Sequence, residues 1–111
     1  MKQITVLLLL VAILGCSDSR DFEETKLRGV HIVAALEEFR KSNGTYPASL
    51  QELVPTYLLE VPQPTWGLKT WLYEGYGNDF WLQVNESTRT GNGVARWLRY
   101  LGPEHGWQDG D

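Results

Sequence analysis

Apolar positions follow three successive patterns along the chain: a near-unbroken run over residues 4 to 14, helical spacing over residues 20 to 43, and alternation from residue 68 onward. Between Arg20 and Asn43, Phe22, Gly29, Ile32, Val33, Leu36 and Phe39 fall within roughly one third of a helix circumference. That spacing predicts one long helix with a single buried stripe. Ser19 or Asp21 suits its N-cap, and Glu23 and Glu24 place negative charge in the first turn, where the backbone N–H groups favour it. Arg40 and Lys41 occupy the last turn, and Asn43-Gly44 supplies a left-handed closing residue. Glycine in mid-helix costs ~1 kcal/mol against alanine, so Gly29 predicts close approach of a partner element. Arg40 projects near the stripe, its stem covered and its charge at the edge.

After Gly44, Thr45-Tyr46 reads as extended and a short helix follows, with Pro47 in its first turn, Pro55 beyond its end, and Leu50, Leu53 and Val54 as its buried face. Residues 61–67, Val-Pro-Gln-Pro-Thr-Trp-Gly, form an irregular connector, because two prolines at alternate positions deny ladder hydrogen bonds. Three strands are predicted, over 68–73, 79–84 and 94–101, joined by a glycine-rich hairpin loop at 74–78 and a longer polar loop at 85–93. The tail from Gly102 is too rich in glycine and charge to assign. The fold class is therefore α+β: one long helix packed on three or four antiparallel strands, with a short second helix and an irregular connector.

Side chains alternate across a strand, so Phe80, Leu82 and Val84 share one face while Trp81 and Gln83 share the other; Val94, Leu98 and Tyr100 likewise oppose Trp97 and Arg99. If the first set faces the helix, Trp81, Trp97 and Arg99 stand on the outer face of the sheet, and an exposed aromatic patch there is a candidate interaction surface. The competing expectation is that the tail or the connector folds over them.

Charge narrows the partners. Ten basic residues stand against fourteen acidic ones, with no clustered Lys and Arg, which argues against nucleic acid. Five Trp, five Tyr and three Phe, each able to bury ~150–250 Å², give a small domain without a disulfide enough apolar surface to fold.

The first apolar run is eleven residues long, Ile4 to Leu14, preceded by Lys2 and followed by Gly15 and the chain's single cysteine, Cys16. At ~1.5 Å per residue it covers about half of a ~30 Å hydrocarbon core, so it reads as a signal segment rather than a membrane span. Ile13-Leu14-Gly15-Cys16 resembles the lipobox of bacterial lipoprotein signals. That resemblance implies cleavage after Gly15 and lipid on Cys16, dividing the chain into a signal (1–15), a lipidated tether (16–20) and one domain (21–111). Ser17 after the cysteine resembles sorting to the periplasmic face of the outer membrane rather than retention at the inner membrane. The membrane is thus an expected partner, reached through Cys16.

From Leu36 to about Val84 the chain resembles the soluble domain of type II secretion pseudopilins and their type IV pilin relatives. The resemblance rests on the helix closing at Asn43-Gly44, then Tyr46-Pro47, Leu50, Leu53-Val54-Pro55, Tyr57-Leu58, Pro62, Trp66-Gly67 and Tyr73. It implies a long helix against an antiparallel sheet, and an envelope or secretion-machinery protein as partner. The Gly-Phe processing site and the following Glu of pilin-type chains have no counterpart before Arg20, which implies a pilin-type head that is not a filament subunit. Gln63 stands where the family often has Asp.

Candidate chemistry is sparse. A nucleophile needs an activating base, and only His31, on the helix flank, and His105, in a turn-like stretch, are offered. Two histidines and no spare cysteine fall short of a zinc set. Glu37-Glu38 or Asp109 with Asp111 supply carboxylates without the arrangement glycoside hydrolysis needs. Asn92, Glu104, Asp109 and Asp111 are oxygen donors in the region of the family's calcium loop, in no recognisable loop spacing. The expectation is a lipid-anchored, periplasm-facing interaction or scaffolding domain with no catalytic residue, metal or cofactor. The alternative is a small-ligand or calcium-binding lipoprotein.

Overall fold

The computed structural model describes residues 17–87 and 96–110. Helix α1 spans Ser17–Asn43. It starts three residues ahead of the expected Arg20, because no proline or glycine in residues 17–20 stops it. Ser19 and Asp21 therefore lie inside the helix instead of capping it, Glu23 and Glu24 fall in its second turn, and residues 17–20, read as tether, are helical. The stop is where the sequence puts it. Gly44 takes φ 87° and its N–H bonds the Arg40 carbonyl at 2.7 Å.

Phe22, Gly29, Ile32 and Leu36 are buried and Val33 and Phe39 half-buried, as the stripe predicts; Thr25 and Ala35 join them. Gly29 has the close neighbour expected of it. A Cβ there would lie 2.3 Å from the Trp107 ring and 3.2 Å from Trp71, so two indoles rest against bare backbone. Arg40 is exposed, its guanidinium 5.3 Å from the centre of the Tyr46 ring.

The second helix is a single 3₁₀ turn, Leu50–Leu53, and Pro47 precedes it rather than opening it. The Glu52 carboxylate sets the start by accepting the Ala48 and Ser49 N–H groups at 2.7 and 3.0 Å. Leu53 is fully buried, with Leu50 and Val54 half-buried.

Prolines leave the connector without a ladder, and side chains take its backbone groups instead. Trp71 Nε1 donates to the Pro62 carbonyl at 2.7 Å, and Arg28 Nη1 to the Gln63 carbonyl at 2.9 Å. Thr25 Oγ1, on α1, accepts the N–H groups of Thr65 and Trp66 at 2.9 and 3.0 Å. The Thr65 hydroxyl donates to the Asp21 carbonyl at 3.0 Å and lies 3.2 Å from Thr25 Oγ1. These bonds set the Trp66 ring edge-on to Phe22, with centroids 4.9 Å apart.

Among the described residues, four strands form one antiparallel sheet in sequence order: β1 Leu72–Gly75, β2 Phe80–Asn85, β3 Trp97–Tyr100 and β4 Trp107–Gly110. The predicted first strand, 68–73, is displaced to β1 because Gly67 and Lys69 both take positive φ, 68° and 59°, and turn the chain before it can pair. The expected five-residue loop at 74–78 shrinks to a two-residue turn, Gly77-Asn78, closed by the Tyr76 N–H on the Asp79 carbonyl at 2.8 Å. Residues 94 and 95 of the third predicted strand lie outside the described residues. In the unassigned tail, Gly102 and Gly106, at φ 83° and 65°, shape the turn that returns the chain as β4.

The inner face of the sheet carries Phe80, Leu82, Val84 and Leu98, each at most 1 % exposed. With Ile32, Leu36, Tyr46 and Leu53 they make the core between sheet, α1 and the short helix. Phe80 is its aromatic hub: its ring centre lies 4.7 Å from that of Tyr46, 5.5 Å from Tyr100 and 6.1 Å from Tyr73.

Candidate interaction surface

Strand register brings the predicted surface residues onto one face. Glu74 pairs with Trp81, Gln83 with Arg99, Asn85 with Trp97, and Trp97 with Gly110. Paired residues share a face, so Leu72, Glu74, Trp81, Gln83, Asn85, Trp97, Arg99 and Gln108 all lie opposite α1. Trp81, Trp97 and Arg99 are half-buried there. Each is held by a neighbour. The Trp81 indole N–H donates to the Tyr76 hydroxyl. The Arg99 guanidinium lies 4.8 Å from the centre of the Trp97 ring and donates through Nε to Gln83 Oε1, while Gln83 Nε2 donates to Asn85 Oδ1. Gly110 lets the other flank of Trp97 seat closely, since a Cβ there would lie 2.6 Å from the ring.

Trp81 and Trp97 are four strand positions apart along the sheet, separated by the Arg99–Gln83–Asn85 chain of hydrogen bonds. At ~3.3 Å per residue along β2 and ~4.8 Å across to β3, the two indoles are ~14 Å apart at their backbones. The result is an aromatic and amide face whose side chains are tied to one another by hydrogen bonds, the candidate interaction surface of the sheet. Sequence alternation located Trp81, Gln83, Trp97 and Arg99 on this face. Asn85 and Tyr76 were not recognised, although Asn85 continues the same two-residue period and the Gly77-Asn78 dipeptide is itself the turn signal that frees Tyr76 from the loop.

Other sequence candidates are dispersed. His31 is exposed on α1, and His105 is exposed in the β3–β4 turn beside Glu104. Asp109 is in β4, on a different element from Glu104. Gly15, Cys16, Asn92 and Asp111 lie outside the described residues. Among the described residues, no three His, Cys, Asp or Glu side chains converge as a metal site would need, and no helix is long and apolar enough to cross a membrane.

A cleft of about 450 Å³ lies between Arg40, Tyr46, Asp79 and the β3–β4 turn. On its wall the Tyr46 hydroxyl donates to Glu37 Oε1 at 2.6 Å. Burial, then the hydrogen bond to Glu37, then the charge of Glu37, push the Tyr46 phenol up to about 12 against the lowering effect of Arg40. Burial also raises Tyr73 and Tyr100. A pKa raised by folding means the native state keeps its proton after the unfolded chain has lost it. The contribution of Tyr46 is therefore complete below pH ~10 and is lost as pH climbs toward 12. Urea titrations between pH 8 and 12 are expected to show stability falling above pH ~10, with a shallower fall in Tyr46→Phe, which has nothing to ionise.

Comparison with known proteins gives no match, whether against family models, curated sequences or solved structures.

Proposed function

We propose that this chain is a lipid-anchored, periplasm-facing interaction domain without catalysis of its own, presenting the outer face of its sheet to an envelope or secretion-machinery protein. The observation that carries this reading is the placement of Cys16. It follows the apolar run and Gly15 directly, and the next residue, Ser17, is already helical. Lipid on Cys16 would thus sit at the foot of a 27-residue helix, ~40 Å long, with no slack between anchor and head. Each buried acyl methylene contributes ~0.8 kcal/mol, and two or more chains hold durably where one is marginal.

The pilin-type resemblance supports the same reading. A long helix backed by an antiparallel sheet, with Tyr46-Pro47 and Trp66-Gly67 as fixed points of the intervening segment, is the arrangement it implies. Here a lipid takes the place of the filament-forming apolar helix, and the outer membrane is the favoured site.

Membrane fractionation tests the anchor. Wild-type chain is expected in the membrane pellet after a high-salt wash, and Cys16→Ala in the soluble fraction. Intact mass of the purified wild type should begin at residue 16 and include acyl chains. Cys16→Ala recovered unchanged in the pellet, or a mature mass without lipid, rejects the proposal.

A further inference from the structure

The two edges of the sheet are built differently, and the difference points to a partner. With the Tyr76 N–H on the Asp79 carbonyl, antiparallel register directs the backbone groups of Leu72 and Glu74 to β2 and turns those of Tyr73 and Gly75 to an edge that no strand of the described residues pairs, while at its far end the Tyr46 N–H takes the Gly77 carbonyl at 2.7 Å and the Pro47 carbonyl packs against Gly75. On the opposite side, the Leu101 N–H on the Gly106 carbonyl leaves Trp107 and Asp109 of β4 facing outward in the same way. Asp109, paired with Leu98, carries its charge at an inner-face position of that edge, a device that discourages further pairing.

The β1 edge differs: its inner-face positions, Tyr73 and Gly75, carry no charge, and Glu74 is exposed on its outer face between Leu72 and Tyr76. Six large apolar residues are exposed among the described residues, and three of them flank this edge: Leu68 at 43 %, Leu72 at 42 % and Tyr76 at 55 %. A strand laid on β1 would set its outer-face side chains beside Leu72 and Tyr76, the cross-strand contacts that stabilise sheets. Alongside the edge runs a cleft of about 350 Å³ whose walls include Leu50, Val61, Trp71 and Tyr73. Among the described residues, Lys69 is the one charged residue lining it and also the one non-glycine residue with positive φ, at 59°.

From this edge we infer that β1 accepts an extended peptide segment of a partner protein as a fifth strand, with a carboxylate of that segment at Lys69. Alternating outward N–H and C=O groups at Tyr73 and Gly75 match the main-chain pattern of an added peptide strand. The flanking apolar side chains supply burial, and the cleft takes the inward side chains of the added strand.

The test uses the full chain in detergent micelles and a capped seven-residue peptide of alternating threonine and valine ending in aspartate. Amide signals of Tyr73 and Gly75 are expected to shift and their hydrogen exchange to slow. A peptide N-methylated at alternate residues should bind at least ~10-fold more weakly, since it loses the pairing N–H groups. Lys69→Ala should weaken the acid peptide several-fold and leave its amide counterpart unchanged, while His31→Ala, at an exposed position of α1, should bind as wild type. No shift at β1 with millimolar peptide, equal binding of the methylated peptide, or shifts that grow with protein concentration alone and so report a second copy, would each overturn the inference. The result is independent of whether Cys16 is lipidated.

Discussion

Phe80→Ala is expected to cost ~3–5 kcal/mol, the range for truncating a buried aromatic, and to move urea unfolding strongly toward lower denaturant. A domain of this size has ~5–15 kcal/mol in total, so one side chain carries a large share of it. The reason is position. Phe80 is 1 % exposed on β2, and its ring touches aromatic rings from β1, β3 and the segment before the short helix, so no single neighbour can move to fill the space it leaves. Loss of Phe80 also loosens Tyr46 and Tyr73, whose hydroxyls hold Glu37 and the Pro47 carbonyl. Urea unfolding should show a strongly lowered midpoint, whereas Leu72→Ala, on the exposed face, should fall within ~0.5 kcal/mol of wild type. A midpoint for Phe80→Ala close to wild type would mean that the core is not organised around this ring.

Phe80 was legible before any coordinates, because period-two alternation assigns it to the face opposite Trp81, and the helical stripe assigns Ile32 and Leu36 to the surface it meets. What alternation does not report is where a strand begins. Leu68 to Trp71 reads as strand by composition, yet Gly67 takes left-handed geometry against the Asn85 carbonyl, where a Cβ would lie 2.3 Å from the oxygen, and Lys69 follows at φ 59°. The same limit applies to β4. Gly102 and Gly106 look like the composition of a loop, and they are the turn that makes the fourth strand possible. Of the candidate site, the side of the sheet was readable and the hydrogen bonds that fix Arg99 and Trp81 were not, since those depend on which residue stands across the strand. Helix start was misjudged for a related reason: serine and aspartate favour caps but do not forbid helix, and residues 17–20 continue it.

Thr25 is the residue that hydropathy alone would pass over, and Thr25→Val is expected to cost ~2–5 kcal/mol with almost no change in shape. Its side chain has no exposed surface and sits on the helix stripe among apolar neighbours. Valine fits the same volume and is more apolar, so transfer energy alone predicts a neutral or mildly stabilising change. The hydrogen bonds decide otherwise. Thr25 Oγ1 accepts two backbone N–H groups, from Thr65 and Trp66, in a segment whose prolines leave it no ladder of its own. A buried donor left without an acceptor costs ~1–3 kcal/mol, and valine strands both. The cost should reach beyond the contact itself, because Trp66 would lose the anchor that holds its ring edge-on to Phe22 beneath the Arg96 guanidinium. Thr25→Ser keeps the oxygen and gives up only a methyl, so it should retain most of the stability. Hydrogen exchange then separates the two explanations: in Thr25→Val the Thr65 and Trp66 amides should exchange early while those of β2 stay protected, and equal stability of the valine and serine variants would show that packing, rather than these two bonds, fastens the connector to α1.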